Sequence, residues 1–241
     1  MPPSAPGWRY EAELWDEGFS TVAGIDEAGR GAWAGPVVAA VVVLPQGEHP
    51  FVDSKTVGPQ RRAELAARVR EVALAWAVVE AAASEVDAVG VLGATLAAAE
   101  RGVRALAGEA VPVAQLGRRS SAGIDALVTD YLRLPTQRWT SWSGPRGLRH
   151  PARADSASYQ VAAASLLAKT HRDARMCAAA VRWPAYGFDR HKGYGAPEHR
   201  TALARFGPCP WHRQTFRPVA ALSARRGLQQ PEDPACPTPS V

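Results

Sequence analysis

Cysteine is scarce in this chain, and its scarcity removes several classes of fold. Cys177, Cys209 and Cys236 are the whole complement. They show no paired spacing, so neither a disulfide framework nor a zinc knuckle is encoded. Long apolar runs are missing as well. The longest, Pro36 to Pro45, is far too short to span a bilayer. The opening stretch, MPPSAPGWRYEAELWDEG, lacks a basic region followed by an apolar one, so no secretory signal is expected. A cytoplasmic, reducing setting with no membrane partner is the resulting expectation. The glycines near residue 30 are not followed by Gly-Lys-Ser/Thr, which excludes a Walker loop. No internal repeat is visible.

What is present suits one ordinary α/β domain with a real core, or two very small ones: 241 residues, 46% hydrophobic and 21% charged. The formal charge is +5 and the isoelectric point about 9.4. A basic balance points to an anionic partner, nucleic acid first. The positive charge is almost all arginine, so base composition of the source accounts for it equally well.

Residues 1–19 are polar and contain proline, which reads as a lead-in. Thr21 to Ile25 reads as a strand running into Asp26-Glu27. Val37 to Leu44 is a continuous β-branched run that fits a strand covered on both faces. A helix is predicted over Pro59–Arg70, with Pro59 at its entry, and a strand over Val72–Ala82. Val89, Leu92, Leu96, Ala99, Val103 and Leu106 recur at steps of three and four, so they should line one helix face. Ile124 to Asp130 reads as a strand ending in an acid, and Thr136–Ala152 as a loop. Ser158–Val181 and Glu198–Phe206 read as helices. The Pro-rich tail over 223–241 lacks periodicity and is expected to be disordered. Strands and helices interleave, so the fold class is α/β, with the main domain at 20–222.

Asp26, Glu27, Asp130 and Asp155 stand at strand ends or just before a helix, where α/β folds tend to carry chemistry. Carboxylates from separate strand ends can cage two divalent cations, which would activate water and stabilise a leaving oxygen. Without such cations the cluster repels itself, and at least one pKa rises. A plainer reading stays open for each. Strand-end aspartates commonly belong to turns, and Asp155 could cap the helix beginning near Ser158. Neighbours on a regular strand also point to opposite faces. Asp26 and Glu27 therefore share a site only if the strand ends or bulges there. Gly29-Arg30-Gly31 is either a simple tight turn or a place where backbone approaches a sugar and phosphate closely.

The sequence Gly24-Ile25-Asp26-Glu27-Ala28-Gly29-Arg30-Gly31, followed by Ala34-Gly35-Pro36-Val37-Val38, closely resembles the opening signature of the ribonuclease HII family. Further pieces match in order. They are Asp53-Ser54-Lys55, Asp130 with Arg133-Leu134-Pro135, and Asp155-Ser156 with the helix through Ser165, Lys169 and Arg172. Tyr186-Gly187-Phe188, His191-Lys192-Gly193-Tyr194-Gly195 with His199, and Gly207-Pro208 with His212-Arg213 complete the series.

The resemblance implies a ribonuclease H-like fold, a mixed central sheet flanked by helices with a C-terminal helical portion. It implies that Asp26, Glu27, Asp130 and Asp155 are catalytic and bind Mg2+ or Mn2+. It implies cleavage of RNA–DNA hybrid, and of ribonucleotide-containing duplex DNA on the 5′ side of the ribonucleotide, leaving 3′-hydroxyl and 5′-phosphate ends. By the same resemblance Gly29, Arg30 and Gly31 read the 2′-hydroxyl, Tyr194 packs on the next deoxyribose, Lys55 and Lys192 contact phosphates, and the chain is a monomer.

Ser165, Lys169 and Arg172 share a helix face, which is either solvated or touches substrate. His191, His199 and His212 are read as structural rather than as ligands. Tyr131-Leu132 and Arg153-Ala154 depart from the family's usual Gly-Asn and Lys-Gly. Ala32-Trp33 also replaces a commoner proline-containing pair. The competing reading is a catalytically inactive nucleic-acid-binding module of the same fold. Clustered acids count against it, because a binder of polyanions gains nothing from them.

Overall fold

The computed structural model describes residues 6–117, 123–134 and 144–227. Two compact units emerge. The first takes the residues up to Ala28, then Val38–Glu80 and Thr95–His171; the second takes Gly29–Val37, Ala81–Ala94 and the chain from Arg172 onward. In chain order the elements are α1 (Arg9–Asp16), β1 (Val22–Ala28), β2 (Val37–Val43), α2 (Pro59–Val72), β3 (Ala75–Ala81), α3 (Ala83–Leu106) and β4 (Gln115–Leu116). They continue with β5 (Ala126–Thr129), β6 (Gly147–Arg149), α4 (Tyr159–Arg182), α5 (Phe188–His191), α6 (Pro197–Phe206) and α7 (Arg217–Gly227).

The first unit is built on a mixed sheet of order β4-β3-β2-β1-β5-β6. β1 runs antiparallel to β2 and parallel to β5. Every residue of β2 is buried, as expected for a β-branched strand covered on both faces. Val38, Ala40 and Val42 pack with Leu65, Ala66 and Val69 of α2 and with Ala163, Leu166 and Leu167 of α4. The alanines of α4 let that helix lie close to the strands. At Gly24 its backbone comes so near that a Cβ would overlap the Gln160 main chain. Gln160 Oε1 then accepts the Leu44 N–H at 2.9 Å, tying the end of β2 to α4.

Several elements differ from the sequence reading, each for a local reason. The polar lead-in forms α1, whose Leu14 is buried with Val22, Ala126 and Val161. Its Glu11, also buried, accepts the Ser158 hydroxyl. The α3 stripe does not bury as a whole, and the helix is broken at Gly90, which adopts φ +76°, ψ 159°. Ala99, Val103 and Leu106 are buried beyond the break, whereas Val89 and Leu92 are exposed. Part of the supposed 136–152 loop is β6, which extends the sheet by pairing with β5. α7 reaches Gly227, beyond the Ser223 boundary expected for the tail; the rest of that tail lies outside the described residues.

The second unit is helical. Ala34, Met176, Trp183, Tyr186, Phe188 and Cys209 form its core. Arg172 and Arg213 are fully buried within it.

Candidate functional site

Asp26 lies on β1, opposite Ala40 of β2, and Glu27 lies opposite Ala39. The ladder with β2 continues to Ala28 without a bulge, so on this edge the strand does not meet the condition for Asp26 and Glu27 to face one site. The interruption is on the other side, where pairing with β5 stops at Ile25↔Thr129 and Asp130 follows immediately. Asp26 is 4% exposed. Its Oδ1 accepts the Glu27 N–H at 2.8 Å, and the Ser165 hydroxyl bonds to it as well. Burial, then the charges of Glu27 and Asp130, push its pKa well above the usual carboxylate range; the two hydrogen bonds oppose that shift.

Asp130 accepts the Ala154 N–H at 3.1 Å, which joins the end of β5 to the turn carrying Asp155. Burial and then Asp155 raise its pKa. Asp155 sits in a 3-10 turn, Ala154–Ser156, and is itself buried. It does not cap α4. Ser158 does, accepting the Val161 N–H at 3.1 Å, so the Asp155 carboxylate is left for other partners. One of these is Lys55, whose Nζ donates to Asp155 Oδ2 at 3.1 Å. Asp53 caps the turn that carries Lys55 by accepting its N–H at 2.9 Å. Burial works against the Lys55 charge, but Asp155, Asp26 and Asp53 together hold its pKa above the ordinary lysine value.

The first unit thus links the predicted acids through mutual repulsion, with one ammonium set among them. The donor set is oxygen-rich and free of thiolate and imidazole, which suits a hard divalent cation. Among the described residues no three such side chains form a ready-made cation cage; Lys55 holds Asp155 instead.

The remaining predicted residues belong to the second unit. Gly29 has φ +93°, and a Cβ there would run into the Arg172 guanidinium, so this position is restricted both by space and by backbone conformation. Arg172 Nε donates to Pro36 O at 3.0 Å and Nη2 to Ala34 O at 3.1 Å. Arg213 donates to Gly35 O through Nε and Nη2 and to Arg30 O through Nη1. These two cations fasten the turn from beneath and leave Gly31 exposed. Burial lowers both pKa values, that of Arg213 to about 10. Tyr194 is 39% exposed and its ring lies over the Arg172 guanidinium at 5.3 Å. Lys192 turns its Nζ to Asp189 O, a main-chain partner instead of open solvent.

The supposed α4 face of Ser165, Lys169 and Arg172 is therefore not a solvated one. Ser165 and Arg172 are buried, and Ser165 also bonds Ser54 Oγ at 2.8 Å. Sequence reasoning missed Ser165 as a partner of Asp26. Its only signal was a hydroxyl in an otherwise apolar alanine-leucine run. His191 and His199 bond to main-chain carbonyls, and His199 also bonds to His212.

Residues 23–219 match the family model described as Ribonuclease HII. The chain belongs to the ribonuclease HII family. A ribonuclease HII of Thermus thermophilus is 53% identical over 215 residues, covering 89% of this chain and 95% of that protein. The fold is that of the ribonuclease H2 from Pyrococcus horikoshii OT3, with a TM-score of 0.65 at 22% identity over 86% of this chain and 98% of that one. A Bst RNase HIII solved in complex with Mn2+ gives a TM-score of 0.57 at 18% identity, over 86% of this chain and 71% of its own. The mixed six-stranded sheet flanked by helices is ribonuclease H-like, and the chain is an endoribonuclease of the ribonuclease HII type. Among the described residues no helix is long and apolar enough to cross a membrane.

Proposed function

We propose that this enzyme hydrolyses the RNA strand of RNA–DNA hybrids and cuts on the 5′ side of ribonucleotides embedded in duplex DNA. The products are 3′-hydroxyl and 5′-phosphate ends, and the role is ribonucleotide removal in the cytoplasm by a monomer. The observation that carries this reading is the burial of Asp26 between the charges of Glu27 and Asp130. A self-repelling buried carboxylate is costly to keep unless a cation offsets it.

Asp26, Glu27, Asp130 and Asp155 would hold Mg2+ or Mn2+. When bound, such ions lower the pKa of an attacking water and stabilise the leaving oxygen. Ser165 fixes the orientation of Asp26. Lys55 balances Asp155 and presents an ammonium to the phosphodiester. Backbone groups of Gly29, Arg30 and Gly31 read the 2′-hydroxyl, the one handle that separates RNA from DNA at a given position. Tyr194 lays its ring against the next sugar and favours one without that hydroxyl, and Lys192 adds a phosphate contact.

The test uses two labelled duplexes, one with a lone ribonucleotide and one a continuous hybrid. Cutting of both is expected only with added divalent metal, and in the first only 5′ of the ribonucleotide. Binding without cutting in Mg2+ or Mn2+ would instead indicate an inactive module.

A further inference from the structure

Three histidines in the second unit are left unexplained by the proposed chemistry, and their bonding order fixes their tautomers. His199 Nδ1 lies 2.8 Å from Tyr194 O. A carbonyl only accepts, so Nδ1 of His199 carries the proton and Nε2 of the neutral ring is bare. His212 Nε2 lies 3.0 Å from that bare nitrogen and must supply the proton between them. Nδ1 of His212 is then an acceptor, and the Cys209 N–H donates to it at 3.0 Å. The longer approach of that nitrogen to Cys209 O, at 3.3 Å, is left without a proton. The result is a one-directional chain from Cys209 N–H through His212 and His199 to Tyr194 O.

The same carbonyl also accepts the Ala196 N–H at 2.8 Å, while the Tyr194 N–H donates to His191 O at 3.0 Å. His191 stacks on His199 with centroids 4.5 Å apart and accepts the Gly193 N–H through Nδ1 at 3.2 Å. Gly193 O takes the Trp33 and Ala34 N–H groups. Lys192 and Gly193 both have positive φ, 52° and 80°, so this loop needs such restraint to keep its shape. His199 and His212 are both buried. Burial lowers their pKa values to about 4 and about 3, which keeps the chain uncharged near neutral pH.

We infer that His199, oriented by His212, is a positioning residue that holds the Tyr194 main chain and so sets where the exposed Tyr194 ring meets a sugar. This rests on the sugar-reading role proposed for Tyr194.

The test compares His199→Phe, His199→Asn, Tyr194→Ala and the pair Tyr194→Ala/His199→Phe on the two duplexes, in single turnover with Mg2+. Phenylalanine keeps the ring volume and loses both bonds; asparagine keeps an N–H donor near the place of Nδ1. His199→Phe is expected to lower the preference for the lone-ribonucleotide duplex about tenfold, the scale of effect a small misplacement of a positioning group produces. Rates on the continuous hybrid should stay within about twofold, a change too small to signal a misplaced reactive group. Asparagine should restore the preference, and His199→Phe should add nothing to Tyr194→Ala.

Equal slowing on both duplexes, failure of the asparagine rescue, or an additive double variant would overturn the inference. An unaffected His199→Phe beside a normal wild type and a Tyr194→Ala without preference would sink this inference alone. A Tyr194→Ala variant that keeps full preference would sink the reading of Tyr194 itself. Ring nitrogen NMR of the wild-type enzyme needs no variant to fold. It should find His199 protonated at Nδ1 and His212 at Nε2, and the opposite tautomers would overturn the chain.

Discussion

Lys55 Nζ and Asp155 Oδ2 stand 3.1 Å apart although a hundred residues separate them in sequence. The pair sets the charge of the acid cluster, because Lys55 also lowers the pKa of Asp130. Lys55→Met should move the acidic limb of the kcat/KM profile upward by about one pH unit. It should also lower kcat/KM at neutral pH by roughly tenfold, the scale of one charge-assisted hydrogen bond. A profile that overlays the wild type would show that Lys55 does not tune these acids.

Asp26→Asn should reduce single-turnover cleavage by at least about a thousandfold, as loss of one member of a cooperating set does. The same change removes a buried, repelled charge. Thermal melts at pH 8 should therefore show a higher Tm, about 2–4 °C for each kcal/mol gained. An inactive variant with a lowered Tm would mean that Asp26 is needed for folding.

Tyr131 holds φ 54° and is 73% exposed, so it bears left-handed backbone with little packing in return. A glycine there would carry no such strain. Tyr131→Gly should stabilise the protein by roughly 0.5–1 kcal/mol, the left-handed penalty less the added chain entropy. Urea unfolding would read it, and a clear loss of stability would show that the tyrosine ring packs more than its exposure suggests.

Glu11 gives a pH dependence of stability. Burial lifts its pKa from 4.5 to about 7 despite the Ser158 hydrogen bond. The folded state therefore binds the proton more tightly than the unfolded chain does. Its contribution is complete below about pH 4.5 and is lost as pH rises through about 7. The full swing is about 3 kcal/mol at most. Glu11→Gln should unfold at higher urea than the wild type at pH 8 and differ little at pH 5. Parallel stability curves would remove Glu11 as the titrating group.

Much of this was legible in the sequence where a single physical pattern dominates. The β-branched run of β2 needs cover on both faces, and the Pro59 entry and long alanine helix are local signals. The acids were visible because their neighbours form ordered motifs. Less legible were features set by distant partners. α1 exists because Leu14 and Glu11 find burial against β1, β5 and α4, and nothing local in a polar stretch announces that. Arg172 has the spacing of a solvated face, yet it is consumed by the Ala34 and Pro36 carbonyls. Val89 and Leu92 keep the right period, yet both are exposed, one on either side of the Gly90 break. Ser158 outcompeted Asp155 as the α4 cap, and two such candidates three residues apart cannot be ranked by type alone.

The most direct measurement is single-turnover cleavage of a lone-ribonucleotide duplex by four variants, Asp26→Asn, Glu27→Gln, Asp130→Asn and Asp155→Asn, across a Mg2+ titration. If these carboxylates act as one cation-dependent centre, each variant loses cutting and none is rescued fully by more metal. Near wild-type rates in Asp130→Asn or Asp155→Asn, or wild-type cutting in excess chelator, would contradict it.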